Sequence, residues 1–132
     1  MTITTETAHS PEAILALFSQ AMNRGDLDFI MTLYEDDACL IPQPHQQPVQ
    51  GKPAIRQALH HFLALQAKIH IQRTTSVQTG DIALLRSVWR LTGTDPDGSA
   101  LQMAHESTDV ARRQHDGSWK IVIDHPFGAD PS

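Results

Sequence analysis

Apolar side chains recur at Ile14, Leu17, Phe18, Ala21 and Met22, the i, i+3, i+4, i+7, i+8 stripe of an α-helix that buries one face. Ser10 offers an oxygen to the first backbone N–H groups, and Pro11 fits a position whose N–H has no helical partner. Gly25 is the natural stop. Asp26 then caps a shorter second helix whose apolar face is Leu27, Ile30, Met31 and Tyr34. Ala38 to Ile41 is a short apolar run, followed by Pro42, Pro44 and Pro48 among glutamines, which predicts a strand entering an irregular loop. Gly51-Lys52-Pro53 opens a third helix with Ile55, Ala58, Leu59, Phe62 and Leu63 on one face.

From Lys68 the period falls from helical to two. Ile69 and Ile71 alternate with polar residues, Ile82 to Leu91 is rich in β-branched and aromatic side chains, and Asp95-Pro96-Asp97-Gly98 supplies a turn. Leu101 to Arg113 is the next strand, His115-Asp116-Gly117-Ser118 a second hairpin turn, and Trp119 to Phe127 the last strand. Long hairpin-joined strands after three helices predict an α+β domain with an antiparallel sheet, spanning 10–128 between a flexible arm (1–9) and a short tail (129–132).

With 132 residues, 40% of them hydrophobic and 19% charged, the chain suits one globular domain and is too apolar for a disordered one. The formal charge of −5 and the lack of a Lys/Arg run argue against nucleic acid or an anionic membrane as partner. No run approaches the ~20 apolar residues of a membrane span, so a cytoplasmic location is expected. Protonating all eight histidines would take the charge from −5 to +3, a matter of solubility rather than function. Cys39 is the lone cysteine, and no His-x-x-x-His pair or Cys/His cluster occurs. A disulfide framework is thereby excluded, and neither a metal nor another cofactor is expected.

The helix followed by Asn23-Arg24-Gly25-Asp26-Leu27-Asp28, then Leu33-Tyr34-Glu35-Asp36-Asp37-Ala38, the Pro-rich loop, Gly51-Lys52-Pro53-Ala54-Ile55-Arg56 and a closing Asp116-Gly117-Ser118-Trp119-Lys120-Ile121 strand together resemble the nuclear transport factor 2-like superfamily. More narrowly they resemble its ketosteroid isomerase and SnoaL-like group. The resemblance covers nearly the whole chain. It implies a cone: a strongly curved antiparallel sheet packed on three N-terminal helices, a mostly apolar pocket at the open end, and commonly a homodimer through the outer sheet face.

That fold hosts many activities, so the site residues must decide. Isomerase chemistry of this kind uses a carboxylate base and buried donors, a tyrosine and a protonated aspartic acid, that hold an enolate oxygen. Matched segment by segment, the resemblance puts the base position at Pro42 and the tyrosine position at Phe18, neither of which can do that work. The aspartic acid donor falls at Asp109, which is retained.

Strand alternation puts His105, Ser107 and Ala111 on the face of Asp109, with Glu106, Thr108 and Val110 opposite. On the last strand the resemblance places Ile123, His125 and Phe127 inward and Asp124 outward. Asp109 and His125 then form an expected general-base pair, the carboxylate fixing the imidazole tautomer. Phe18, Met22, Trp89, His105, Ser107, Ile123 and Phe127 are the expected pocket residues, with His45 over the mouth or simply on a surface loop. Each has a plainer role open to it: Asp109 as a structural acceptor, His125 as a satisfied strand-end histidine, Trp89 and Trp119 as core aromatics. Two functions therefore stand side by side. One is proton transfer on a small apolar carbonyl compound; the other is a non-catalytic ligand-binding or dimeric assembly module.

Overall fold

The computed structural model describes residues 7–43 and 46–128. Helix α1 (Pro11–Asn23) starts as its sequence predicts, with Ser10 accepting from the Ala13 N–H at 3.3 Å. Gly25 lies beyond its end with φ +72°, a left-handed conformation that glycine adopts at little cost. Asp26 caps α2 (Leu27–Met31) by accepting from the Phe29 N–H at 3.1 Å, and α3 spans Lys52–Ala64.

Six strands make up the rest of the described chain, β2 among them unannounced by the pattern: β1 (Tyr34–Leu40), β2 (Val49–Gln50), β3 (Lys68–Thr79), β4 (Ile82–Thr94), β5 (Ala100–Arg113) and β6 (Trp119–His125). They form one curved, unclosed sheet in the order β2-β1-β6-β5-β4-β3, antiparallel except where β1 meets β6. The helices cover its concave face, giving the α+β cone. Register breaks in β1, β3 and β6 accompany the bend, since an extra residue in one strand of a pair kinks it and increases its twist.

Two departures from the expected elements bear on the site. Tyr34 fits the spacing of the second helix, but that helix ends at Met31 and Tyr34 opens β1 instead, fully buried. The last strand ends at His125, and Phe127 lies in the turn that follows.

The end of the expected arm is held. Ala8 is buried and its carbonyl accepts from the Trp119 N–H at 2.8 Å, while residues 1–6 and the tail at 129–132 lie outside the described residues. Asn23, at the end of α1, clamps β3 through both halves of its amide. It donates to the Ile69 carbonyl at 2.9 Å and accepts from the Ile69 N–H at 2.7 Å. This fixes α1, with Phe18 and Met22, over the concave face of the sheet. Among the described residues no helix is long and apolar enough to cross a membrane.

Candidate functional site

Between the helices and the sheet lies a cavity of about 80 Å³. Its walls are apolar, from Phe18 and Met22 on α1, Leu59 and Phe62 on α3, Trp89 on β4, and Phe127 after β6. Pro42 lines it as well, so both positions at which the resemblance puts lost catalytic groups, Phe18 and Pro42, do face the hollow. The rings narrow the space without filling it.

One stretch of wall is polar: Ser87, Ser107, Asp109 and Asp124. Strand alternation on β5 holds as expected, with Ser107, Asp109 and Ala111 buried and Glu106 exposed. His105 shares that face but is not part of the cavity wall; its ring lies 4.9 Å from Phe127 and 5.4 Å from Trp89, centroid to centroid. Trp89 is fixed in turn by donating from Nε1 to the Pro126 carbonyl at 2.8 Å.

The last strand overturns the expected pairing. Trp119 and Ile121 point inward, but the partners of Val110 and Ala111 are Ile123 and Ile121, so Val122 is an extra residue in β6. Such a bulge reverses the alternation beyond it. Ile123 is therefore turned out, 41% exposed, and Asp124 is turned in, only 7% exposed. His125 pairs with Thr108 on the outward row, and its imidazole does not line the cavity. What joins His125 to Asp109 is backbone: the His125 N–H donates to Asp109 Oδ1 at 3.0 Å. The imidazole–carboxylate base is not assembled, and Ile123 is no pocket residue. His45 lies outside the described residues.

In place of that pair, Asp109 and Asp124 are direct cross-strand partners, and their side chains hydrogen-bond. Tyr34 completes the group, its hydroxyl donating to Asp124 Oδ2 at 2.5 Å. Burial pushes the Asp109 carboxyl well above the usual range, and the charge of Asp124 pushes it further. Asp124 is also raised by burial, but the donors Asp109 and Tyr34 and the nearby His125 work against the rise. The two carboxyls thus titrate as a pair, with Asp109 the side that favours keeping a proton and Asp124 the side that accepts hydrogen bonds. Tyr34, buried beside Asp124, is held well above an ordinary phenol.

Chemically, the arrangement offers a neutral carboxylic acid as donor next to a carboxylate as acceptor, both at the wall of an apolar hollow. Sequence reasoning missed Asp124 and Tyr34 because one depended on a bulge and the other on where a helix stops. The signal that was available is the repeated apolar position at Val122 and Ile123, which breaks strict alternation just before Asp124.

The SnoaL-like domain family matches residues 14–122, and the chain belongs to it. Its fold is shared with several solved structures. A protein described as a "Putative calcium/calmodulin dependent protein kinase II association domain" from Xanthomonas campestris superposes with a TM-score of 0.78 at 22% identity, over 100% of both chains. A ketosteroid isomerase-like protein from Erwinia carotovora atroseptica gives 0.72 at 24% identity, covering 86% of this chain and 88% of its own. An NTF2-like protein with a cystatin-like fold from Novosphingobium aromaticivorans gives 0.75 at 17%, covering 91% and 80%. No curated protein matches the sequence.

Proposed function

We propose that this protein binds a small, mostly apolar carbonyl compound and moves a proton on it, with Asp109 and Asp124 as the working pair. The observation that carries this reading is the placement of two buried carboxyls directly opposite each other at a cavity wall. When the substrate binds, protonated Asp109 turns its one O–H from Asp124 to the substrate carbonyl oxygen. The Asp124 carboxylate takes a proton from the neighbouring carbon, and the electrons of that C–H bond move into the enol system. Asp124 then returns the proton to the same or a conjugated carbon, so no net charge, oxidant or cofactor is consumed. Tyr34 positions Asp124 and keeps it ionised. At about 80 Å³ the cavity is far below the roughly 300–1,000 Å³ of sites for drug-sized ligands. This favours substrates of one ring or a short branched chain over a four-ring steroid.

The test is proton exchange. A small ketone such as cyclohexanone, followed by NMR in heavy water, should exchange its α-protons faster with the protein than with buffer. Asp124→Asn should abolish the acceleration and Asp109→Asn should weaken it. Exchange no faster than in buffer, or undiminished in Asp124→Asn, would refute the reading.

A second reading rests on a specific observation. No buried side-chain nitrogen or oxygen among the described residues lacks a hydrogen-bond partner, so the polar wall is already satisfied without a ligand. On that reading the carboxyl pair fixes the strands and the domain serves binding or assembly. The outer sheet face gives assembly a place: Val77, Leu84, Val110 and Ile123 lie in register across β3, β4, β5 and β6, and Val77 is 71% exposed. Such a row on an open sheet suits packing against the same row of a second copy.

A further inference from the structure

The carboxyl pair is only one end of the polar wall. Ser87 and Ser107 are cross-strand partners on β4 and β5, both buried, with their hydroxyl oxygens 2.5 Å apart. Ser107 lies two residues from Asp109 on the same face and hydrogen-bonds to its carboxyl. The wall is therefore a hydrogen-bonded chain running Ser87, Ser107, Asp109, Asp124, with Tyr34 behind it, across four strands.

The direction of the protons along it follows from its one charge. Asp124 accepts from Asp109 on one side and from Tyr34 on the other. With the Asp109 proton aimed at Asp124, Ser107 donates to Asp109, and Ser87 donates to Ser107. Each hydroxyl has one proton to give and two lone pairs. Ser87 stands at the head of this hydrogen-bonded chain and lines the cavity; its one bond to Ser107 uses its proton and leaves its oxygen with room to accept. An apolar hollow with an oxygen in that state selects a ligand that brings a hydrogen-bond donor.

We propose that Ser87 is a specificity residue: its hydroxyl accepts a hydrogen bond from an O–H or N–H on the ligand, at the end of the cavity away from the carboxyl pair. The substrate class narrows accordingly to small compounds with a carbonyl at one end and a hydroxyl or amine at the other. Two residues of strand separate the serine pair from the carboxyl pair, about 6.5 Å along β5, which is the span of a substituted single ring. The assignment rests on the proposed carbonyl-binding function of the same cavity.

Matched probes separate the two. 4-Hydroxybenzaldehyde and 4-methylbenzaldehyde have nearly the same shape and differ in the donor. In NMR titrations the hydroxyl compound should bind the wild-type protein about tenfold more tightly, the scale of one buried hydrogen bond. Ser87→Ala and Ser87→Cys should bring that ratio close to one, whereas Asp109→Asn should weaken both probes together and leave the ratio in place. Equal binding of the two probes by the wild-type protein overturns the role of Ser87 and leaves the cavity a binding site. So does a ratio unchanged in both Ser87 variants. Failure of both aldehydes to bind overturns the serine assignment and the carbonyl-binding reading together. Should one Ser87 variant fold poorly, the other carries the comparison.

Discussion

Asp109 and Asp124 face each other as direct partners on β5 and β6, two acidic side chains where a sheet ordinarily avoids like charge. The pairing is stable because one of them keeps its proton. Asparagine at 109 retains a donor toward Asp124, so Asp109→Asn should unfold within about 1 kcal/mol of the wild-type protein. Asp124→Ala deprives Tyr34 and Asp109 of their shared acceptor and should cost about 2–3 kcal/mol. Tyr34→Phe, losing one donor, should fall between them. Urea unfolding at a fixed pH ranks the three, and an Asp109→Asn variant less stable than Asp124→Ala would contradict the protonation assigned here.

The same proton sets a pH dependence. Folded Asp109 keeps its proton at pH values where an unfolded aspartate, with a pKa near 3.8, has lost it. The folded state then binds more protons than the unfolded one, so stability falls as pH rises. The contribution is complete below about pH 3.8 and is lost progressively up to the raised folded value. The carboxyls of Glu12, Asp97 and Asp116, which hydrogen bonds hold down, act in the opposite sense but equally in both proteins. The stability difference between wild type and Asp109→Asn, measured by urea unfolding across about pH 4 to 8, should therefore shift steadily in favour of the variant.

On the outer face, light scattering at micromolar concentration should give the mass of two chains. Leu84→Lys, at the middle of the row that joins Val77 to Ile123, should give the mass of one without lowering the thermal midpoint of the monomer. A wild-type protein that scatters as a single chain removes the proposed assembly.

Packing makes a prediction at Gly93. A Cβ there would lie 2.9 Å from the Leu65 carbonyl oxygen, which already accepts from the Thr94 N–H at 2.9 Å. That oxygen and the Ala67 Cα, 3.6 Å away, are backbone and cannot step aside. Gly93→Ala should cost about 1–3 kcal/mol, the range for overpacked sites, and should be visible as a lowered melting temperature.

Much of this architecture was legible because its causes are local. Ser10, Pro11 and Asp26 act on the N–H groups beside them, and the alternation of Ala83, Leu85, Ser87, Trp89 and Leu91 needs only a pleat. The facing of Asp109 and Ser107 followed from the same rule. Asp124 and His125 were exchanged because a bulge is decided by the strand alongside, here β5, and not by the residues that bulge. Tyr34 was misplaced for a kindred reason: four residues after Ile30 it fits a helix, and only its pairing with Ile121 makes it a strand. The two-residue β2, which exists as a partner for Cys39 and Leu40, has no periodicity of its own.

The bulge at Val122 makes the pairing of β6 a determinant of what the hollow meets. Were Val122 paired in strict alternation instead of bulged, the same segment would offer the hollow an isoleucine and an imidazole and would turn its acid outward. The bulge, and not the residue types of the segment, decides which side of the sheet Asp124 meets, so a change in the neighbouring strand that flattened it would swap the group at the polar wall with the sequence of β6 unaltered.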